Sequence, residues 1–143
     1  MSLKRYCFIL LLLLLLIPGI SFASDSQYNY ISATDLETRL TANLPTNFVD
    51  IQVEEEFAQH HIKGAIPTHA YPVKSDTDLS RINATIEQLK ANTDPVVIVC
   101  PRGAGGAKRT YDYLLQQEVS AKRLLILEKG QSGWTCTPLT ESN

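Results

Sequence analysis

The chain has few cysteines and histidines, no basic run, and no long apolar segment beyond its first residues, and each scarcity removes a class of function. Its 13 Lys+Arg are scattered among 15 Asp+Glu without interleaved basic and aromatic residues, so no electrostatic footprint for nucleic acid is present. Of the three histidines, His60 and His61 are adjacent and point in different directions on a helix. No carboxylate and cysteine cluster accompanies them or His69, so no metal site is expected and His61 is assigned to packing. The one apolar run, Tyr6 to Ile17, has 12 residues, whereas a membrane span needs about 20. No other segment is a candidate span, and no internal repeat or low-complexity region follows.

That run is preceded by Lys4 and Arg5, broken by Pro18-Gly19, and followed by the small residues Ser21 and Ala23, the pattern of a secretory signal peptide at residues 1–23. Cleavage after Ala23 removes Cys7 and leaves a 120-residue domain, 24–143, in the periplasm or outside the cell, with no membrane attachment. This length suits one domain with one core. Without Lys4 and Arg5 its net charge is about −4, so an anionic substrate would be captured by local donors rather than steered from a distance.

Along the mature chain, Ser24 to Asn29 is a polar tail, and Ser32-Ala33-Thr34-Asp35 resembles a capping box that opens a helix through Leu40. Asn47 to Ile51 reads as a strand and Glu54 to His61 as a short helix with an acidic first turn. Ala65-Ile66 begins another extended piece. From Asp78 to Lys90, Leu79, Ile82, Ile86 and Leu89 recur at helical spacing, and Leu124 to Leu127 is a further buried strand. Strands alternating with helices predict an α/β sandwich with a mainly parallel sheet, whose ligands bind beyond the carboxyl ends of the strands.

The segment richest in chemistry begins at such an end. Val96 to Val99 is a β-branched run of the kind buried on both faces; it stops at Cys100, and Pro101-Arg102-Gly103-Ala104-Gly105-Gly106 leads into a helical pattern from Ala107, with Tyr111, Leu114 and Leu115 on its apolar side. A glycine-rich loop turns backbone N–H groups toward one centre, and the helix start adds the positive end of its dipole. An ordinary thiol is only about 3% thiolate at pH 7, so a loop that favours the anion makes a nucleophile. Cys100 is therefore the candidate nucleophile and residues 101–106, with Lys108, the candidate anion site. Lys129-Gly130-Gln131-Ser132-Gly133-Trp134 follows the last strand in the same manner and is expected to form a second wall of the crevice.

These segments resemble the rhodanese-like domains. Phe48-Val49-Asp50-Ile51-Gln52 with Glu56-Phe57 is similar to that family's Asp-Val-Arg strand and Glu-Phe/Tyr helix, His61-Ile62-Lys63-Gly64-Ala65 to its Gly-His-Ile-x-Gly-Ala, Cys100 to Gly105 to its active loop, and Gly130 to Trp134 to its late Gly-Gly-x-x-x-Trp. The chain departs from the pattern at Gln52, where arginine is usual, at Lys129, where the first glycine stands, and at Gly105, where Arg, Ser or Thr is common. The last change leaves Arg102, Lys108 and Arg109 as alternative sources of positive charge at the rim.

The resemblance implies a sandwich built on a mainly parallel five-stranded sheet, and a sulfurtransferase of the thiosulfate sulfurtransferase type. Cys100 would take sulfane sulfur from a small anionic donor such as thiosulfate and pass it, as a persulfide, to cyanide or a thiol, with neither metal nor organic cofactor. A phosphatase of the related fold would place a phosphate-clamping arginine where Gly106 stands. A different alternative is a non-catalytic sulfur carrier or redox-binding module, motivated by Cys136: it follows Trp134 by two residues and stands as a free thiol, a partner of Cys100, or a partner of another thiol. His69 is the histidine to consider beside Cys100, Asp50 is read as a structural strand-end carboxylate, and Trp134 as pocket wall or core.

Overall fold

The computed structural model describes residues 27–143, so the signal peptide expected at 1–23 lies outside the described residues. Four strands form the central sheet: β1 (Tyr30–Ile31), β2 (Asn47–Asp50), β4 (Val96–Val99) and β5 (Leu124–Leu127) run parallel in the order β1-β5-β4-β2. Helices α1 (Ala33–Thr41), α2 (Glu54–Gln59), α3 (Asp76–Lys90) and α4 (Gly105–Gln116) connect them. A separate antiparallel pair joins β3 (His61–Ile62) to β6 (Thr140–Glu141).

The period of two along β4 decides what each face packs against. Val96 and Ile98 point into a core shared with Ile82, Ile86 and Leu89 of α3 and Ala107, Tyr111 and Leu114 of α4. Val97 and Val99 point the other way, toward Leu36 of α1, Trp134 and Cys136. All four side chains are fully buried, as the apolar run predicts.

Several boundaries moved. Helix α3 begins at Asp76 rather than Asp78, because Ser75 caps it and exchanges a capping box with Asp78. Helix α4 starts at Gly105 rather than Ala107, and α2 ends at Gln59, leaving His61 to β3. The sheet has four strands where five were expected. In the fifth position a single parallel bridge, Asp50 to Pro67, stands beside β2. Asp50 N–H donates to Ile66 O and Thr68 N–H donates to Asp50 O, and the chain leaves the extended conformation at His69, where φ is +53°. Among the described residues no helix is long and apolar enough to cross a membrane.

Candidate active site

Cys100 follows the last residue of central strand β4, so its side chain emerges at the carboxyl edge of the sheet and is 1% exposed. The chain then folds back over it. Gly103, at φ +66°, turns its N–H onto the Cys100 sulfur, with N to Sγ 2.9 Å. Ala104 caps α4 without offering a side-chain acceptor, so the first-turn amides of that helix keep no side-chain partner at the cap. One N–H aimed at the sulfur beside the positive end of a helix is an arrangement that stabilises negative charge on it.

The floor of this loop is the segment after β5, the second wall expected from the sequence. Gln131 N–H donates to Cys100 O at 2.8 Å, and Ser132 N–H to Pro101 O at 3.0 Å. Gly130 passes so close beneath that a Cβ there would overlap the Cys100 carbonyl oxygen and the Gly103 nitrogen. Glycine is required at this point, for the approach and for its backbone angles of +59° and −154°.

A cleft of about 330 Å³ opens beside the loop, lined among others by Pro101, Arg102, Gln131, Gln52, Glu56 and His60. Of the three candidate cations, Arg102 is the one on its wall, with Nη2 3.4 Å from the Tyr71 hydroxyl. Lys108 instead lies over the Tyr28 ring, Nζ 5.3 Å from its centroid. The Arg109 guanidinium is held by backbone, donating from Nε to Val73 O at 2.9 Å and from Nη2 to Pro72 O at 2.7 Å, so it braces the 72–73 turn against α4.

A model of the Rhodanese-like domain family matches residues 32–136. The chain belongs to that family. No curated protein sequence matches it. Among solved structures it is similar to a Staphylococcus aureus rhodanese-like domain protein, at 24% identity and TM-score 0.55 over 80% of this chain and 98% of that one. It is also similar to a yeast protein described as a protein tyrosine phosphatase of the Rhodanese family, at 19% identity and TM-score 0.60 over 77% of this chain and 85% of that one. A rhodanese-like domain from Anabaena matches at 13% identity and TM-score 0.58, over 80% and 79% of the two chains. At these identities the likeness is one of fold, and the family holds sulfurtransferases and phosphatase-like members.

Within this rhodanese-like domain, Gly106 is packed where a phosphatase would need its arginine. A Cβ there would stand 3.0 Å from Ile51 Cδ1 and 3.2 Å from the Tyr71 ring, so the position is crowded as well as empty of charge. Gln52, in place of the family's arginine, is buried beside Asp50 and gives it two hydrogen bonds, from N to Oδ1 at 2.9 Å and from Nε2 to Oδ2 at 3.1 Å. Asp50 has no exposed surface, and burial raises its pKa to about 6 against these bonds and the attraction of His61 and His69. It is a buried carboxylate held by Gln52, with no lysine or arginine in an ion pair with it among the described residues.

No histidine is hydrogen-bonded to Cys100 among the described residues. His61 packs as expected, stacked on Phe57 at 3.9 Å with Nδ1 2.9 Å from Phe57 O, and His69 Nδ1 sits 3.1 Å from Gln52 O. Trp134 is core, its indole N–H donating to Thr140 Oγ1 at 3.0 Å. Cys136 corrects the sequence reading that set it near the loop: it lies in the α1-side cluster, Cys100 belongs to the opposite one, and both thiols are free. Burial pushes the Cys136 thiol up. Spacing missed Glu56 and His60 as cleft residues, because they come from elements remote in sequence from the cysteine.

Proposed function

We propose that this rhodanese-like domain is a sulfurtransferase of the thiosulfate sulfurtransferase type, exported to the periplasm or beyond by its first 23 residues. The observation that carries the reading is the Gly103 N–H on Cys100 Sγ, in a loop with no arginine at Gly106. The Cys100 thiolate attacks the outer sulfur of a small anionic donor such as thiosulfate. The donor's S–S bond breaks, its electron pair leaves on sulfite, and Cys100 is left as a persulfide anion. Preorganised amides stabilise that charge without reorganisation, and Arg102 supplies the one cleft-side cation on the loop. Cyanide or a thiolate then takes the outer sulfur, and the bond pair returns to Cys100. A sulfur-carrier or redox module drew its support from a Cys136 near the loop, and the sheet lies between the two residues.

The test is intact mass of the reduced mature protein after incubation with thiosulfate, with thiocyanate release on adding cyanide. Wild type gains one sulfur, discharged by cyanide, and Cys100→Ser gains none. Sulfur transfer by Cys100→Ser at the wild-type rate, or aryl phosphate turnover in place of sulfur loading, overturns the assignment.

A further inference from the structure

Asp50 is a buried titratable group that the sulfur chemistry does not use. Burial raises its carboxyl to about 6, while the hydrogen bonds from Gln52 favour the anion. An arginine at position 52 would carry a permanent charge and keep the neighbouring carboxylate ionised; glutamine is neutral and does not. The titratable groups facing Asp50 are His61 of β3 and His69 of the loop after it, and both attract its anion. His61 Nε2 is in turn 3.8 Å from Glu141 Oε2 of β6. On the strand side, β4 and the bridge at Pro67 set Val99 and Pro67 beside Asp50, and neither is charged.

Gln52 connects this carboxyl to the cleft. Its backbone is pinned at both ends: the N–H donates to Asp50 Oδ1 at 2.9 Å, and the carbonyl O lies 3.1 Å from His69 Nδ1. The terminal torsion of the side chain is broad, so the carboxamide can turn over in place. Nε2 donates to Asp50 Oδ2 at 3.1 Å and lies 3.5 Å from His60 O, whereas Oε1 takes no hydrogen bond from the protein among the described residues. Gln52 is 2% exposed, lines the cleft, and is not among the side chains with a buried unpaired atom, so Oε1 is the end the cleft meets. This pairing belongs to an ionised Asp50. A carboxyl that has taken a proton from solvent is a donor; its O–H goes to Gln52 Oε1, and Nε2 turns to the cleft. We infer that Gln52 sets the preference of the cleft for anions and that the Asp50 proton sets Gln52: ionised Asp50 presents a carbonyl oxygen to the cleft, and protonated Asp50 presents an amide donor. Asp50 is thus a positioning residue that does not touch the ligand. The donor joins Arg102 in holding a small dianion such as thiosulfate, and the oxygen opposes it. By reciprocity, the bound anion draws a proton onto Asp50. The choice of thiosulfate rests on the sulfur-transfer reading of Cys100; the amide switch does not.

Two measurements test it. In the first, the Gln52 side-chain NH2 of the isotope-labelled mature protein, identified by its loss in Gln52→Met, is followed by NMR in the presence of a neutral gadolinium chelate. The chelate broadens this signal more strongly at about pH 5 than at about pH 8. Asp50→Asn, whose own amide donates to Gln52 Oε1 at every pH, is broadened to the acid-form extent at both. Equal broadening of wild type at the two pH values, or a change that survives Asp50→Asn, overturns the inference. In the second, thiosulfate is titrated calorimetrically into Cys100→Ser. Binding is about tenfold tighter at about pH 5 than at about pH 8, the size of effect of gaining a hydrogen bond to a charged group, and it takes up a proton, read from the dependence of the heat on buffer ionisation. Adding Asp50→Asn gives the tight binding at both pH values, and adding Gln52→Met gives the weak binding at both. Affinities within twofold across the range, no binding at either pH, or a pH dependence that Asp50→Asn retains, as titration of His60 on the cleft wall would give, overturns the anion preference. A wild type that never loads sulfur fails the functional proposal, while the first measurement, which needs no ligand, still decides the switch.

Discussion

Gly130→Ala is the substitution that best isolates how the loop is built. The added Cβ would overlap the Cys100 carbonyl oxygen and the Gly103 nitrogen and stand 2.7 Å from the Arg102 nitrogen. All three are backbone atoms, so no side chain can swing aside. The backbone angles of +59° and −154° lie in a region reserved for glycine, which costs about 1–3 kcal/mol for alanine. Overpacking against backbone adds about 1–3 kcal/mol, for a total of about 4 kcal/mol. Gly64→Ala is the control: its φ is also positive, at +82°, but no atom lies within 4 Å of its Cβ, so only the conformational cost of about 1–2 kcal/mol applies. At about 4 °C per kcal/mol, Gly130→Ala melts about 15 °C below wild type and Gly64→Ala about 5 °C. Relief of the overlap moves the Cys100 carbonyl off Gln131 N–H and carries Gly103 with it, so the sulfur loses its amide. A displacement of about 1 Å at a reacting centre costs about a hundredfold in rate. Differential scanning calorimetry and the initial rate of sulfur loading by mass spectrometry read the two effects. If Gly130→Ala melts with Gly64→Ala and loads sulfur at the wild-type rate, the loop does not rest on this glycine.

Two other perturbations follow from buried groups. Asp50 is held at a pKa of about 6, above its ordinary 3.8, so the folded state binds the proton more tightly. Its contribution to stability is full below about pH 4 and is lost as pH rises through about 6, a fall of about 3 kcal/mol by pH 8; Asp50→Asn removes this fall, and urea unfolding of the two proteins with parallel pH profiles would refute it. Cys100 and Cys136 lie in separate cores on opposite faces of the sheet, so treatment of the folded domain with diamide leaves no intramolecular disulfide; loss of two hydrogens from the mature mass, abolished by Cys136→Ser, contradicts the arrangement.

The central strand and its loop were legible because their signals are local. Four β-branched residues before Cys100 predict a strand buried on both faces, and glycines after it predict a turn into a helix, which is where the structure puts them. The cap at Ser32 and the stripe of α3 are read the same way. Strands β1, β3 and β6 have two residues each, too few for any period, and exist only because partners far along the chain complete their hydrogen bonds. The side of the sheet on which Cys136 falls was equally illegible. It depends on the Gly130 turn and the short 3-10 helices at Gln131–Gly133 and Thr137–Leu139, which spacing does not encode. Lys129 shows the reverse case: it stands where the family has glycine and adopts φ +60°, so the backbone demand survives although the residue that signals it is gone.

The fate of the three cations shows what helical geometry adds to a motif. Arg102, Lys108 and Arg109 were equivalent as residues near a cysteine. Lys108 and Arg109 fall on α4, and successive helical residues diverge by about 100°, so the two cannot serve one site. One finds the Tyr28 ring and the other the carbonyls of Pro72 and Val73. Side chains on a helix also lean toward its N-terminus, which brings Arg109 Nη1 beside Gly105, where a Cβ would meet it at 2.9 Å. Glycine at that sixth loop position thus removes a rim side chain and makes room for the brace that holds the 72–73 turn. Arg102, on the loop before the helix begins, is free of both constraints and reaches the cleft. Charge at this rim therefore comes from inside the loop, on the same short segment that carries the nucleophile, and any movement of Gly103 or Gly130 displaces the sulfur and its cation together.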